Sequence, residues 1–476
     1  MTKILFLRHP EEWIQPGVFG HEPNVLSIYP PIGLLYLAAV LKQHGHEAEI
    51  IDLGAEKLSE EQIRKHLLSV DAVGMSVYTN NYPCIAETAR LIKNLDPKIP
   101  LIIGGPHCSF LKEHALYDIP HADIEVELEG EPVILDLVKF LNGEKQLSEI
   151  PGIIYKEKDK IKYGKNPEIL KDLDNLPFPA RCLVEKYDYG NFPWGYQPKK
   201  KFTTILTSRG CPFHCRFCSK YNNINKNYVY RERSAKNVFE EIRHINEKYS
   251  SVKIVDDNFL VNKKRAHEIF DLIIKNDISL DILILGARVD SADKELYSKM
   301  KKANVKFLSF GVESGSQQVL DFYNKKITKE QISNAVKLSR KMNFITVGSF
   351  IFGAPIETKE HIEETIKFVR SLPFDSVIFR PLKYEVGSEL WKEALKKNKV
   401  SKDEYTVPAD SKRDLGNFTY EELLDYSKKA TSSFYLRPKY LFDQIFRALS
   451  TGDISRLKNI IQVILSYPWK NEFQSN

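Results

Sequence analysis

The segment SRGCPFHCRFCSK, residues Ser208–Lys220, contains three of the six cysteines of the chain. These are Cys211, Cys215 and Cys218, at the spacing C-x3-C-x2-C, and they follow an apolar, strand-like run, Phe202–Leu206. Thiolates are soft ligands, and cysteines clustered in one loop are typical of zinc and iron–sulfur sites. The spacing therefore predicts a metal centre that takes three protein ligands from a single loop.

Two kinds of metal centre fit this loop. One is a structural zinc site, with His214 or a distant residue as the fourth ligand. The other is an open iron–sulfur site, and the motif resembles the signature of the radical S-adenosylmethionine (SAM) enzymes. In that family three cysteines hold a [4Fe–4S] cluster, and the amino and carboxylate groups of SAM chelate the fourth iron. The resemblance implies Cys211, Cys215 and Cys218 as cluster ligands.

Composition indicates a globular protein of two or three domains. The chain has 476 residues, of which 42% are hydrophobic and 28% charged. We expect no transmembrane segment, because no apolar run reaches about 20 residues, and we see no signal peptide. The six cysteines do not suggest a disulfide framework, so we expect a cytoplasmic protein. A net charge of +6 does not indicate nucleic-acid binding.

Strand-like and helix-like segments alternate over residues 1–145. This alternation predicts a doubly wound parallel sheet of the Rossmann or flavodoxin type, with ligands beyond the carboxyl ends of the strands. The three loops at that edge contain Gly, Ser or Asn, which allow close approach of a bulky ligand. These loops are Ser76–Asn81, Gly104–Ser109 and Glu129–Pro132. The predicted strands are Lys3–Leu7, Ala48–Asp52, Ala72–Val77, Pro100–Ile103 and Ile124–Leu128.

This region resembles the cobalamin-binding domain that precedes many radical SAM domains. The matching segments are Pro30–Asp52, Gly74–Ser76, Ile102–His107 and Glu129–Pro132, in that order. The resemblance implies a cobalamin-binding domain over residues 1–145. It also implies a set of cofactor contacts: Ser76, Gly104, Gly105, Pro106, His107, Gly130 and Glu131.

The motif D-x-H-x-x-G, whose histidine binds cobalt in many cobalamin proteins, does not occur in this sequence. We therefore expect base-off cobalamin without a protein histidine on cobalt. His9 and His107 follow predicted strands, and either is placed to approach the corrin. The domain alternatively binds another cofactor, or none.

Residues 146–201 are predicted to link two domains. Gly152–Tyr155 and Lys160–Tyr163 flank a charged turn and predict a β-hairpin. Asp172–Arg181 contains two prolines and predicts an extended strap, because proline does not continue a helix.

Strand and helix patterns alternate again over residues 202–400, in six units. They predict a partial, six-unit (β/α) barrel of the TIM type, with its chemistry at the carboxyl ends of the strands. The predicted strands are Phe202–Leu206, Val252–Val255, Ile282–Leu285, Val305–Phe310, Thr346–Phe352 and Ser376–Phe379.

Polar motifs follow several of these strands and resemble radical SAM motifs near the nucleoside. The resemblance implies that Glu313 accepts hydrogen bonds from SAM, that Ser314 adds a polar contact and that Arg288 faces an anionic group. Gly353 would let backbone lie against the adenine. Asp256 and Asn258 are candidates for the SAM amino group, and the alternative for them is helix capping.

Residues 401–476 predict a small helical region, with helices at Thr419–Tyr435, Arg437–Leu449 and Ile454–Leu465. Tyr435, Tyr440, Phe442 and Phe446 form an aromatic stripe. Such a stripe is usually core, and contact with a membrane or an apolar substrate is the alternative.

The combined resemblance implies a cobalamin-dependent radical SAM enzyme, and the first hypothesis for its reaction is transfer of a methyl group to an unactivated carbon. Radical cyclisation, ring contraction or oxidation is a second hypothesis, and a non-catalytic corrinoid or iron–sulfur carrier or sensor is a third. A radical SAM enzyme requires an electron for its cluster, so the resemblance also implies an electron donor such as flavodoxin or ferredoxin. The sequence does not identify the substrate as a small molecule, lipid or peptide.

Overall fold

The computed structural model describes residues 1–10, 29–158, 160–190, 198–199 and 201–451. The chain divides into two compact units, Met1–Asn191 and Phe192–Asn476. Each unit is built on a parallel sheet, so the predicted α/β fold class is confirmed.

The first unit contains a seven-stranded sheet in the order β2-β1-β3-β4-β5-β6-β7, and β1 to β5 are parallel. Because β1 lies between β2 and β3, the strand order reverses there, and this point of a doubly wound sheet usually binds the ligand. Strands β1 to β7 are Lys3–Arg8, Glu47–Asp52, Ala72–Ser76, Leu101–Gly104, Ile124–Val126, Ile153–Glu157 and Lys160–Tyr163. Helices α1 to α6 are Ile32–Gln43, Glu60–Leu67, Tyr82–Leu95, Pro106–Leu111, Glu113–Asp118 and Ile134–Leu141.

Two features of the first unit differ from a simple alternation of strands and helices. The connection from β4 to β5 contains two short helices, α4 and α5, which Lys112 separates with a φ of 54°. The hairpin β6–β7 pairs antiparallel with β5, so it extends the sheet of the first unit. The compact unit consequently continues to Asn191.

The second unit contains six parallel strands in the order β15-β14-β13-β12-β11-β8, with helices between them. Sequential order in an open sheet is the arrangement expected of a partial barrel. Strands β8 to β17 are Phe202–Ile205, Ser208–Arg209, Arg231–Glu232, Ser251–Ile254, Asp281–Ala287, Val305–Glu313, Ile345–Phe352, Ser376–Pro381, Lys383–Glu385 and Thr406–Pro408. Helices α7 to α15 are Ala235–Lys248, Lys263–Lys275, Lys294–Lys302, Gln317–Phe322, Lys329–Lys341, Lys359–Ser371, Glu389–Lys396, Tyr420–Tyr435 and Pro438–Thr451.

The two faces of the six-stranded sheet differ in burial. Along β13, Leu308, Phe310 and Val312 are fully buried, as expected for side chains that face the surrounding helices. The alternate residues Phe307 and Ser309 are only half-buried. We call the face that carries Phe307 and Ser309 the interior face, because it is the more open face of the barrel.

The predicted aromatic stripe divides between two sides of the C-terminal helices. Tyr435 and Tyr440 are buried, and their hydroxyls bond to Ser376 Oγ at 2.8 Å and to the carbonyl of Asp375 at 2.8 Å. Phe442 and Phe446 on α15 are instead 73% and 72% exposed. The third predicted helix, residues 454–465, lies outside the described residues.

None of the helices in the described ranges is both long and apolar enough to cross a membrane.

Candidate functional site

The three motif cysteines lie in a loop between β9 and β10, and all three thiols are free. Cys215 is buried, whereas Cys211 and Cys218 are half-buried. The loop is held by its own turn, in which the Cys218 amide donates to the Cys215 carbonyl at 3.2 Å. The side-chain amides of Asn222 and Asn223 donate through Nδ2 to the carbonyls of Cys211 and Cys218, both at 3.4 Å. These contacts order the loop through its backbone, and the Cys218 thiol donates to the Ser219 carbonyl at 3.7 Å.

Aromatic contacts fix the other side of the loop against the barrel. The ring of Phe217 meets the edge of Tyr323 with centroids 5.0 Å apart, and the Arg216 amide donates to the Tyr323 carbonyl at 3.1 Å. The guanidinium of Arg288 lies 3.6 Å from the centroid of the Phe213 ring. These contacts link the cysteine loop to the carboxyl ends of β12 and to the segment after α10.

The donor set fits a [4Fe–4S] cluster. In the described part of the chain, no three His, Cys, Asp or Glu side chains converge closely enough to bind one metal ion. A cubane cluster does not require such convergence, since each thiolate binds a different iron. Burial raises the pKa of the Cys211 and Cys218 thiols, and the nearby Lys220 ammonium acts in the opposite direction. A cationic cluster core would stabilise the same thiolates.

Asp256 is engaged in anchoring the start of the cysteine loop. Its carboxylate accepts hydrogen bonds from the amide of Thr207 at 2.6 Å and from the hydroxyls of Thr207 and Ser208, both at 2.5 Å. Arg265 lies 3.9 Å from the same carboxylate and donates to the Thr207 carbonyl at 2.9 Å. Asp256 is 2% exposed, so its carboxylate is enclosed by these protein groups.

The next two residues are placed differently. Asp257 is exposed to water. Nearby protein atoms that displace water from its carboxyl nevertheless raise its pKa, as does the charge of Asp256. Its charge also raises the pKa of Cys211 and Cys218, so it lies near the cysteine loop. Asn258 is 2% exposed, and its Oδ1 has no hydrogen-bond partner among the described residues. It precedes a 3-10 turn without capping it.

Glu313 ends β13 with a φ of 73°, a conformation that is uncommon for a residue other than glycine. Its carboxylate is 2.7 Å from Nζ of Lys325, and both side chains are buried. A Cβ on Gly311 would lie 2.6 Å from Oε1 of Glu313, so this glycine makes room for the carboxylate. Gly311 continues the alternation of Phe307 and Ser309, which places the Glu313 carboxylate on the interior face.

Arg288 and Ser314 have protein partners in this structure. The Arg288 guanidinium donates to both carboxylate oxygens of Asp290, the closest at 2.8 Å, and to the carbonyl of Lys325 at 2.8 Å. Ser314 is fully buried, and its hydroxyl lies 3.1 Å from that of Thr365. Ser314 therefore orders the turn after Glu313, whereas Arg288 lies between the cysteine loop and Lys325.

The segment after β14 is held by a buried carboxylate. Oε2 of Glu357 accepts hydrogen bonds from the amides of Gly353 and Ala354, the latter at 3.2 Å. Burial raises the pKa of Glu357 to about 7 against the effect of these bonds. Gly353 has a φ of 105°, and a Cβ there would lie 2.7 Å from the Leu423 side chain. The glycine therefore allows close packing against α14.

The loops at the carboxyl edge of the first sheet approach each other closely. The Val77 amide donates to the Gly104 carbonyl at 2.7 Å. Gly105 has a φ of 107°, and a Cβ there would lie 3.0 Å from Oγ of Ser76 and 2.9 Å from the Val77 carbonyl. Pro106 then begins α4, where its lack of an amide hydrogen is tolerated. This arrangement requires glycine at residue 105.

The third loop of this edge, Glu129–Pro132, packs against α1 and contacts the segment that follows β7. A Cβ on Gly130 would lie 3.0 Å from the Leu37 side chain. Oε2 of Glu129 accepts from the Leu170 amide at 2.9 Å, and Glu131 is 9% exposed.

The two candidate histidines differ in their hydrogen bonds. His107 is fully buried, and its Nδ1 and Nε2 lie 3.4 Å from Oγ1 of Thr79 and 3.1 Å from Oδ2 of Asp118. His9 follows β1, is 8% exposed, and its Nε2 has no partner among the described residues. Burial lowers the pKa of His9 to about 4, so its ring is neutral at pH 7. Both ring nitrogens of His107 are therefore occupied, whereas one of His9 is not.

The structure adds Asp257 and Lys325 to the candidate site. Asp257 lies between Asp256 and Asn258 in the segment DDNF, residues Asp256–Phe259, and the sequence does not show which of these side chains contacts SAM. Lys325 is 12 residues from Glu313 and belongs to no motif that we identified. A buried lysine is costly unless it is paired, so only the fold reveals its contact with Glu313.

Comparisons with known proteins agree with this geometry. The model of the radical SAM superfamily matches residues 205–369, and the model of the B12 binding domain matches residues 24–138. These two domains imply a [4Fe–4S] cluster, SAM and cobalamin as cofactors.

An uncharacterised methyltransferase of Pyrococcus horikoshii is 34% identical over 456 residues, which cover 94% of this chain and 95% of that protein. An anaerobic magnesium-protoporphyrin IX monomethyl ester cyclase of Rubrivivax gelatinosus is 29% identical over 373 residues, 75% of this chain and 65% of that protein. The structure of the cobalamin-dependent SAM radical enzyme OxsB, with aqua-cobalamin and SAM bound, shares the fold. Its TM-score is 0.70 at 18% identity, covering 97% of this chain and 72% of that one. The chain therefore belongs to the cobalamin-binding radical SAM family and is a radical SAM enzyme.

Proposed function

We propose that this enzyme transfers a methyl group from methylcobalamin to an unactivated carbon of its substrate. The observation that carries the proposal is the 34% identity to a protein named a methyltransferase, which extends over 94% of this chain and includes both cofactor domains. When bound, the cofactors supply radical generation from SAM and a transferable methyl group. The protein supplies their binding and orientation.

For the domains, we propose that residues 1–145 bind cobalamin and that 202–400 bind the cluster and SAM. Residues 146–201 would connect these two parts, with their hairpin β6–β7 extending the first sheet. We propose that residues 401–476 are a helical region, whose described helices α14 and α15 help to close the barrel. Contact of α14 with Gly353 through Leu423 supports this last role.

For SAM, we propose that Asp257 binds the amino group, because it is exposed near the cysteine loop while Asp256 is occupied by Thr207 and Ser208. Lys325 and Arg288 would bind the carboxylate. Both are buried cations beside the loop. The Glu313 carboxylate balances the charge of Lys325 in this structure.

Three other residues complete the proposed SAM contacts. Glu313 would accept hydrogen bonds from SAM hydroxyls on the interior face, with Ser314 as the residue that positions its turn. The backbone at Gly353 would lie along the adenine, held by Glu357. Asn258 would contribute its unpartnered Oδ1 as a further acceptor.

For cobalamin, we propose that the three loops at the carboxyl edge of the first sheet line the corrin, with the cofactor base-off and without a histidine on cobalt. The lack of a D-x-H-x-x-G motif and the occupied nitrogens of His107 support this proposal. The proposed contacts are Ser76, Gly104, Gly105, Pro106, Gly130 and Glu131, with His107 as a residue that orders the loop.

The axial ligand can be tested by electron paramagnetic resonance of protein-bound cob(II)alamin. We expect a base-off signal in which no nitrogen nucleus splits the cobalt lines, because neither histidine coordinates the metal. The variant His9→Ala should give the same spectrum. A nitrogen splitting that disappears in His9→Ala would show that the open Nε2 of His9 is the ligand, contrary to the proposal.

The reaction can be tested with SAM that carries a deuterated methyl group, the reduced and reconstituted enzyme, and a metabolite extract. We expect 5′-deoxyadenosine together with a labelled product that requires the enzyme, because the proposed reaction consumes SAM both as radical source and as methyl source. Mass spectrometry detects both compounds.

The same experiment distinguishes the alternatives. A radical cyclase or oxidase, which the similarity to the magnesium-protoporphyrin ester cyclase favours, would form 5′-deoxyadenosine without labelled product. A carrier or sensor would form neither compound.

We further propose a cytoplasmic location and a reduction of the cluster by a flavodoxin or ferredoxin. The free thiols of the cysteine loop support a reducing compartment, where glutathione and thioredoxin keep such groups reduced.

A further inference from the structure

Helix α15 presents an apolar face to the solvent. Four large apolar side chains lie on it at positions i, i+3, i+4 and i+7, which form a single stripe along a helix. They are between 44% and 73% exposed: Phe442, Ile445, Phe446 and Leu449. We call this stripe the α15 apolar face. Contiguous exposed apolar side chains of this kind mark an interaction site in a natural protein.

The opposite face of α15 is polar and fixes the orientation of the helix. The Tyr440 hydroxyl donates to the Asp375 carbonyl at 2.8 Å, and the Gln444 amide donates to the Asp375 carboxylate at 3.2 Å. Arg447 donates to the same carboxylate, and also to Oδ1 of Asn343 at 2.8 Å. Tyr440, Gln444 and Arg447 are all buried. Because rotation of α15 would break these hydrogen bonds, its apolar face cannot reach the core.

Basic side chains border the N-terminal end of the α15 apolar face. Arg437 directly precedes α15, and its guanidinium donates to the carbonyl of Arg370 in the last turn of α12. Lys439, in the first turn of α15, is exposed, as is Arg370. None of these three cations forms an ion pair within the described ranges. Asp443, which also lies on α15, is 4.0 Å from the guanidinium of Arg340 and is balanced by it.

We propose that the α15 apolar face docks on the surface of a membrane that contains anionic lipids. Its aromatic and aliphatic side chains enter the boundary between the headgroups and the acyl chains. Arg370, Arg437 and Lys439 lie at the headgroup level and attract the lipid phosphates. An apolar stripe with a basic border is complementary to such a surface, because the surface offers hydrocarbon and negative charge side by side.

The sequence that follows α15 has the same character. It lies outside the described residues, and its apolar residues recur at helical spacing: Ile454, Leu457, Ile461 and Ile464. Arg456 and Lys458 lie among them, and Trp469 and Lys470 follow. Apolar residues at helical spacing, accompanied by basic residues and tryptophan, are typical of segments that bind at a membrane interface. This pattern favours a lipid surface as the partner.

Flotation of the purified protein with lipid vesicles tests the proposal. We expect the wild type to bind vesicles of equal parts phosphatidylglycerol and phosphatidylcholine, and to bind vesicles of phosphatidylcholine alone much more weakly. Phe442→Gln/Phe446→Gln should lower the affinity for the anionic vesicles about tenfold or more, because two aromatic side chains no longer enter the apolar layer. Arg370→Gln/Lys439→Gln should also lower it about tenfold, and added salt should weaken binding of the wild type.

Two exposed residues elsewhere provide matched controls. Leu68→Gln in the first unit and Lys264→Gln on α8 should bind the anionic vesicles as the wild type does. Circular dichroism shows whether each variant folds. Equal binding of the wild type to both kinds of vesicle, or undiminished binding by a folded Phe442→Gln/Phe446→Gln, would overturn the proposal.

Photo-crosslinking identifies what covers the face. With benzoylphenylalanine in place of Phe446 and the anionic vesicles present, we expect an adduct between the protein and a lipid, which mass spectrometry detects. Crosslinks only to residues 452–476 of the same chain, or only to a second copy, would overturn the proposal. These measurements use neither SAM nor substrate, so their outcome is independent of the proposed methyl transfer.

Discussion

Enzyme in which Cys211, Cys215 and Cys218 are all replaced by alanine is expected to bind no iron–sulfur cluster and to form only background 5′-deoxyadenosine. The three thiols are the proposed protein ligands of the cluster, and SAM cleavage requires an electron from it. The measurement is iron and sulfide content after anaerobic reconstitution, with visible absorption and product analysis. The wild type should contain about four irons per chain.

The chain offers a matched control for this loss. Cys84 and Cys182 lie outside the loop, and Cys84→Ala/Cys182→Ala should keep both cluster and activity. Retention of the cluster absorption in the triple variant of the loop would contradict the assignment of all three ligands.

Replacement of Glu125 by methionine is expected to stabilise the protein substantially. Glu125 on β5 is fully buried, and neither carboxylate oxygen has a hydrogen-bond partner among the described residues. Buried polar atoms without partners each cost about 1–3 kcal/mol. Methionine has a similar length and no polar hydrogen-bonding requirement, so the free energy of unfolding should rise by roughly 2–4 kcal/mol at pH 7.

The stabilisation should depend on pH in a defined direction. Burial, together with the charges of Glu127 and Glu113, raises the pKa of Glu125 from 4.5 to about 10. The folded protein therefore holds a proton on Glu125 that the unfolded chain releases above pH 4.5. Below pH 4.5 Glu125 is protonated in both states, and its full contribution to the stability of the wild type is present. The free energy of unfolding of the wild type then falls as the pH rises from 4.5 toward 10.

Urea unfolding of the whole chain at pH 5 and pH 8, followed by circular dichroism, measures this effect. We expect the difference between Glu125→Met and the wild type to be larger at pH 8 than at pH 5. Glu125→Gln should remove the pH dependence while keeping a buried polar group, and the exposed Glu144→Met should change little. A destabilised Glu125→Met with unchanged pH dependence would show that the carboxyl group is compensated in the folded protein.

Periodicity in the sequence predicts the order of the strands and longer helices well, because both sheets consist of buried strands between amphipathic helices. It does not predict α4, α5 or α10, whose six residues each are too few to establish a helical period. It predicts the hairpin β6–β7 but not its pairing with β5, since a local pattern carries no information about which sheet edge the hairpin joins.

In the candidate site, too, the sequence predicts what one local segment contains and not what the fold brings together. The cysteine motif identifies its own ligands because one loop contains all three of them. Asp256 and Asp257 are adjacent and identical, and β11 ends before them at Ile254, so strand alternation cannot assign their faces. Lys325 follows the unpredicted α10, and its contact with Glu313 depends on how that short helix returns the chain. Residues whose role depends on loop geometry therefore needed the structure.

The central claim is that three thiolates leave one iron of the cluster open to SAM, and Mössbauer spectroscopy of the 57Fe-labelled enzyme tests it most directly. We predict a [4Fe–4S] spectrum in which the addition of SAM shifts the signal of a single iron. A protein that binds zinc in place of iron, or a cluster whose spectrum SAM leaves unchanged because a fourth side chain closes it, would contradict the claim.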